Sequence, residues 1–190
     1  MRRILSVLFL IILFGCTQQY AQKSSVPQDV VVQTNASQNA SVKNSNQEMS
    51  EYENSHIRMK YPSDWKVIEG DPIRFFSSFE SREPVRAVYI IVEDTTFENM
   101  TFEEYTNYVI NKLSSDTTKT NINVQNSTLG GRQAKAATFD SISEPKMRVF
   151  LVWARNNNKI YNFEYVTLDT DYDRYTQEAN RMLDSFEFTD

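Results

Sequence analysis

Three aspartates at alternate positions, Asp169, Asp171 and Asp173, form the sharpest chemical spacing in this sequence. They match positions 1, 3 and 5 of a calcium-binding loop, where carboxylates converge on one ion. The rest of that loop is missing. Position 6 is Arg174 where glycine makes the turn, and position 12 is Asn180 where a bidentate glutamate is needed. Acidic groups favoured at a helix N-terminus are the plainer reading of the three carboxylates. His56 is the one histidine, and no Gly-x-Ser-x-Gly elbow accompanies it, so a surface histidine is expected rather than a general base. Glu103 and Glu104 are adjacent, about 100° apart on a helix, and cannot share one substrate. Tyr161, Phe163 and Tyr165 alternate along an apolar run, as a core strand does, with an aromatic ligand groove as the other reading. No Gly-rich phosphate loop occurs. One Cys and one His exclude an internal disulfide framework and a zinc site built from several Cys and His ligands. The expectation is therefore no catalytic residue, no cofactor, and no metal candidate beyond the three aspartates.

Positioning any site falls to one domain. The chain has 190 residues, 24% of them charged, with a formal net charge of −5 and no cationic surplus to neutralise a phosphate backbone, so nucleic acid is not an expected partner. Residues 51–190 hold both Trp, ten of the twelve Phe and nine of the ten Tyr. A chain of that length buries about two thirds of its unfolded surface and needs no staples.

Alternation predicts a strand from His56 to Tyr61, a turn at Pro62-Ser63-Asp64, and a return strand from Trp65 to Glu69 that makes a hairpin. A short strand is predicted over Ile73–Phe76, and Arg86–Glu93 is apolar on both faces, as a covered strand is. Thr101 with Glu104 is a capping box that opens a helix striped by Phe102, Tyr105, Val109 and Leu113. Gly130-Gly131 turns a hairpin between Asn121–Thr128 and Arg132–Asp140. Met147–Arg155 reads as a central strand, followed by an asparagine turn and the strand Ile160–Thr167. Thr170 with Asp173 is a second capping box, opening a helix with Tyr172, Tyr175, Ala179, Met182, Leu183 and Phe186 on one side. Tight turns between strands give an antiparallel sheet, and strands apolar on both faces need cover on each side. The predicted fold is α+β: an α/β/α sandwich with a central, mostly antiparallel sheet of about six or seven strands and helices on both faces.

The first residues carry an address. Arg2 and Arg3 precede the apolar run Ile4–Phe14, then Gly15 and Cys16, which is the layout of an export signal over residues 1–15. Eleven residues, apolar except for Ser6, are too few to span ~30 Å of hydrocarbon as a helix. Leu13-Phe14-Gly15-Cys16 resembles the lipobox of prokaryotic lipoproteins, which implies a lipid on Cys16. Ordinary signal-peptidase cleavage is the alternative, and Gln19-Tyr20-Ala21 suits it poorly because Gln19 is not small. Removing Arg2 and Arg3 from a chain of net charge −5 leaves −7, so the lipid rather than electrostatics would hold the protein to a cell membrane, facing the extracytoplasmic side. Gln, Ser and Asn fill 17 of the 34 positions from 17 to 50, too little apolar surface to offset ordering, so residues 16–50 read as a lipidated cysteine and a disordered tether. Asn35, Asn39, Asn99 and Asn126 lie in N-glycosylation sequons.

Tyr61-Pro62-Ser63-Asp64-Trp65, a strand end, a two-residue turn and a Trp opening the next strand, resembles the N-terminal signature of PsbP-like domains. The later element order is similar too, ending in a Trp-bearing strand, an asparagine turn, an aromatic strand and a helix that runs into Phe186-Glu187-Phe188. The resemblance spans residues 52 to 188 and makes Tyr61, Pro62 and Trp65 its structural motif residues. It implies an extracytoplasmic accessory module. The expected function is a membrane-tethered lipoprotein whose non-enzymatic domain binds a protein partner or assists assembly of an envelope complex. A small-ligand or glycan receptor using an aromatic groove is the alternative, and an enzyme of unrecognised type stands behind both. Cys16→Ser is expected to move the protein from the membrane fraction to the medium; unchanged fractionation would remove the anchor.

Overall fold

The computed structural model describes residues 47–70, 73–78, 86–93 and 100–190. The export signal, Cys16, most of the tether, and the sequon residues Asn35, Asn39 and Asn99 lie outside the described residues. Strand β2 (Ile57–Pro62) alternates as read, with Ile57 and Met59 buried and Arg58 and Lys60 exposed. Its partners are β1 (Met49–Glu53) on one side and the two-residue β10 (Glu187–Phe188) on the other, giving a three-stranded antiparallel sheet. Folded structure therefore reaches back to Met49, ahead of the expected start at residue 51.

The predicted hairpin between this strand and the one after Pro62 does not form. Strand β3 (Lys66–Glu69) pairs instead with β4 (Ile73–Ser78), in a different sheet. Both sides of β2 are already taken by β1 and β10, and Pro62 lacks the N–H that would continue a ladder. Tyr61-Pro62-Ser63-Asp64-Trp65 is thus a corner at which the chain changes sheets. It is held by Trp65 N–H donating to the Pro62 carbonyl at 2.9 Å and Ser63 N–H to the Glu48 carbonyl at 3.0 Å.

The large sheet runs β3-β4-β5-β9-β8-β7-β6, every neighbour antiparallel, with β5 (Arg86–Glu93), β6 (Lys119–Leu129), β7 (Arg132–Ser141), β8 (Met147–Asn156) and β9 (Lys159–Leu168). The expected central antiparallel sheet forms, and beside it three of the ten strands among the described residues make a second, smaller sheet that the sequence reading lacks. Gly130 and Gly131 make the β6–β7 turn at φ of 53° and 75°, the left-handed values a two-residue hairpin turn demands. A Cβ on Gly130 would also lie 2.7 Å from the Phe188 ring.

Helix α1 (Phe102–Ser115) opens on the capping box read from sequence: Thr101 N–H donates to Glu104 at 2.7 Å and Glu104 N–H donates to the Thr101 hydroxyl at 3.2 Å. Its Tyr105, Val109 and Leu113 pack on Phe139, Val149 and Trp153 of the sheet. Trp153 Nε1–H donates to the Thr106 hydroxyl at 3.1 Å and fixes the helix there. Helix α2 (Tyr172–Asp184) packs Ala179 and Met182 into a cluster with Val152, Phe163 and Tyr165, the alternate residues of the same strands. The small sheet joins that second cluster through Ile57 and Met59. The second capping box is not formed. A 3₁₀ turn over Asp169–Asp171 precedes α2, which puts Thr170 inside that turn and Asp171 at the N-cap, with no side-chain hydrogen bond. The turn is pinned by Asp169, whose N–H donates to the Lys146 carbonyl at 3.0 Å and whose carboxylate pairs with Arg148 at 2.9 Å.

Phe76 is fully buried where the two sheets meet, its ring centroid 5.3 Å from that of Tyr52 in β1 and 5.4 Å from that of Tyr61 in β2. Phe76→Ala is expected to lower unfolding stability by about 3–5 kcal/mol in urea titrations. Ile68→Ala, at an exposed position one strand away, is expected to change it by less than about 0.5 kcal/mol.

Candidate functional site

The three aspartates are not brought together. Among the described residues no group of three His, Cys, Asp or Glu side chains is placed to hold a metal ion. The 3₁₀ turn breaks the calcium-loop geometry, and Asp169 turns to Arg148, which also binds Asp140 at 2.7 Å. His56 is half-buried beside Lys159 Nζ at 3.1 Å and Asp190 at 3.4 Å, so its side-chain partners are a cation and a carboxylate, not a nucleophile. Partial burial works against the charge of Asp190, yet donation from Tyr161 at 2.6 Å and Lys159 at 3.0 Å holds its carboxyl below the usual range. Tyr161, Phe163 and Tyr165 are fully buried in the α2-side core, so the aromatic groove of the receptor reading is absent from that position. Asn126 is exposed on β6 and its side-chain oxygen accepts from Lys135 at 2.7 Å. Among the described residues, two clefts of about 530 and 440 Å³ are both shallow. The larger is lined by Arg58, which is engaged by Glu53 at 3.0 Å and Glu187 at 3.4 Å.

The motif residue Trp65 leads to a group the sequence reading missed. Arg86 opens β5 and is only 1% exposed. Its guanidinium donates to the Ser78 hydroxyl at 2.6 Å and to Glu178 of α2 at 3.1 Å. The same group lies 3.9 Å from the Tyr175 ring centroid and 5.9 Å from that of Trp65. A planar cation stacked on aromatics and hydrogen-bonded at its edge is a favourable way to bury charge. This arrangement clamps α2 to β4, β5 and the sheet-changing corner. It is structural: every partner named belongs to the chain itself.

Exposed apolar chemistry gathers on the opposite face. Registers place Ile68, Tyr89, Glu164 and Leu151 in one cross-strand row from β3 to β8. Ile73, Ile91, Asn162 and Trp153 form a second row two residues away, on the same face. Leu151 and Trp153 lie in the cluster beneath α1. Ile68 and Ile73, at the other end of the rows, remain 53% and 39% exposed. Tyr108 on α1 is 40% exposed, with its ring 6.2 Å from that of Tyr105.

Between helix and open edge runs a polar seam. Asn162 Nδ2 donates to Glu93 at 3.1 Å, and the Tyr105 hydroxyl lies 3.3 Å from Asn162 Oδ1 and 3.5 Å from Glu93. Burial pushes the Glu93 carboxyl above its ordinary value, against the pull of Lys112, Tyr105 and Asn162. Burial raises Glu164 likewise, opposed by the charge of Lys119. The Tyr105 and Tyr89 hydroxyls are raised too, by burial first and then by Glu93 and Glu164 respectively. Chemically, this surface offers apolar contact at its rim and acceptor oxygens at its floor. Sequence periodicity flagged Tyr105 and the covered strand β5, but only pairing of β5 with β9 sets Glu93 beside Asn162 and Glu164 opposite Tyr89.

No family model and no curated protein sequence matches the chain. Solved structures do. Cyanobacterial PsbP (CyanoP) from Synechocystis sp. PCC 6803 superposes with a TM-score of 0.58 at 12% identity, over 75% of this chain and 93% of that one. LpqN, involved in cell envelope biogenesis of Mycobacterium tuberculosis, gives 0.55 at 12% identity, over 75% and 91%. The Saccharomyces cerevisiae Ran-binding protein Mog1p gives 0.52 at 11% identity, over 76% and 97%. Two helices and a large antiparallel sheet agree with these neighbours at the level of fold: the chain has a PsbP-like fold.

Proposed function

We propose that the chain is a lipid-anchored extracytoplasmic protein whose PsbP-like domain, an α/β/α sandwich, binds a protein partner or assists assembly of an envelope complex without catalysing a reaction. The observation that carries this reading is the α1-side face, where Ile68, Ile73 and Tyr108 stay exposed and the registers place Glu164 and the Glu93 partner Asn162 in the rows of Ile68 and Ile73. Exposed apolar side chains rimmed by polar ones mark protein interaction surfaces. Small-molecule sites are concave and mostly apolar, whereas the two clefts found here are shallow and lined largely by charged and polar residues. Of the fold neighbours, Mog1p is a Ran-binding protein and LpqN is involved in cell envelope biogenesis. The anchor rests on the Gly15-Cys16 sequence, and among the described residues no helix is long and apolar enough to cross a membrane.

A photo-crosslinking side chain placed in turn at Ile68, Ile73 and Tyr108 in intact cells is expected to trap one common protein species. The same probe at Asn157, in the exposed β8–β9 turn, is expected to trap none. Equal labelling from all four positions would sink the surface. Electrostatics of the seam give a second outcome. A carboxyl whose pKa is raised by folding stabilises the fold fully below the ordinary glutamate value of 4.5, and that contribution is lost as pH rises through the raised value. Glu164→Gln is therefore expected to raise the melting temperature at pH 7 and to flatten its fall between mildly acidic and neutral pH. A lower melting temperature at pH 7 would show that the Glu164 charge is a net stabiliser.

A further inference from the structure

A strand at a sheet edge presents unpaired N–H and C=O groups, and proteins protect such edges with short strands, charges, prolines or bulges. Among the described residues three outer strands are protected in this way. Strand β3 has four residues with Lys66 and Glu69 at its ends, β1 has five with Glu51 and Glu53, and β10 has two. Strand β6 differs. It has eleven residues, pairs only with β7, and carries no charged side chain from Thr120 to Leu129. Its one irregularity lies between Thr120 and Asn123, where Asn121 has a φ of 55°. Beyond that bulge, the seven residues Asn123–Leu129 run in unbroken register with β7.

The turn sets which backbone groups face outward. A two-residue hairpin closes on a pair that exchanges hydrogen bonds, here Leu129 with Arg132. Alternation from Leu129 then points the backbone groups of Ser127, Gln125 and Asn123 toward β7, and those of Thr128, Asn126 and Val124 away from it. The outward set is centred on Asn126. So is the unbroken stretch Asn123–Leu129.

We propose that this edge is an interface with a second copy of the chain, in which two Asn123–Leu129 stretches pair antiparallel about a two-fold axis at Asn126. Asn126 then faces its own copy and Val124 faces Thr128, so every outward backbone group meets another outward one. Gln125 faces Ser127 and Asn123 faces Leu129. No like charges are opposed, which matters for a chain whose net charge of −5 repels its copies elsewhere. A two-fold contact requires a self-complementary patch, and a neutral stretch whose outward groups and whose length share one centre meets that requirement without a second sequence. Paired residues share a face, so two seven-stranded sheets become one, with α1 of both copies on the same side.

The test introduces Asn126→Cys into the full chain, where Cys16 is the only other cysteine, and oxidises it in intact cells. A hydrogen-bonded antiparallel pair sets its Cα atoms about 5.5 Å apart, within disulfide reach. The expected result is a covalent band at twice the chain mass, several-fold stronger than in the parent chain or in Lys66→Cys at the opposite edge. A band no stronger than those controls, or one at another mass, overturns the proposal. In sedimentation of the detergent-solubilised full chain, the native protein is expected to be dimeric and Asn126→Lys monomeric, with the melting temperature of the domain retained. A native monomer, or an Asn126→Lys dimer, overturns it equally.

Discussion

Two-sided burial of strands β8 and β9 is the constraint on which the structure depends. Val152, Ala154, Phe163 and Tyr165 face one side, Val149, Trp153 and Ile160 the other, and all are buried. Because successive side chains alternate across a pleat, such strands cannot lie at a solvent face without exposing one set. Helix α1 takes one side. The other is shared between α2 and the small sheet, which explains how the two α-helices among the described residues still cover both sides of these strands.

That sharing requires the chain to pass between sheets, and the passage is built from a few residues. Pro62 ends pairing on β2, Trp65 starts the next strand, and Phe76 sits against Tyr52 and Tyr61 from the small sheet. Arg86 then joins the corner to α2 through Trp65, Tyr175 and Glu178. A buried guanidinium is costly to desolvate, so its hydrogen bonds and ring contacts make the α2 position specific rather than merely apolar. The Tyr-Pro-x-x-Trp resemblance is thus explained by packing: it marks where one sheet hands the chain to another.

Chemistry left over from packing concentrates on the α1 side. Glu93 and Glu164 are held in surroundings that disfavour their charge, beside isoleucines that stay in water. Such residues add nothing to a core, and they are the basis of the proposed contact surface. The β6 edge lies at the other end of the same sheet, so the two surfaces need not compete for one partner.

Local pattern determined much of this protein. The Thr101–Glu104 cap, the glycine turn and the aromatic alternation of β9 are all set by residues a few positions apart, and each appears as read; the apolar stripe of α2 does so up to Leu183, while Phe186 lies past the helix end. Hairpin partners further along were partly misjudged, since β3 leaves β2 for β4, and Thr170 falls in a 3₁₀ turn instead of capping α2. The Arg86 clamp and the Glu93–Asn162 contact were invisible, because their members are 92 and 69 positions apart and carry no spacing signal. Periodicity records which side of a strand is dry. Which strand lies beside it is decided by competition among all available edges, and only the folded chain resolves that competition.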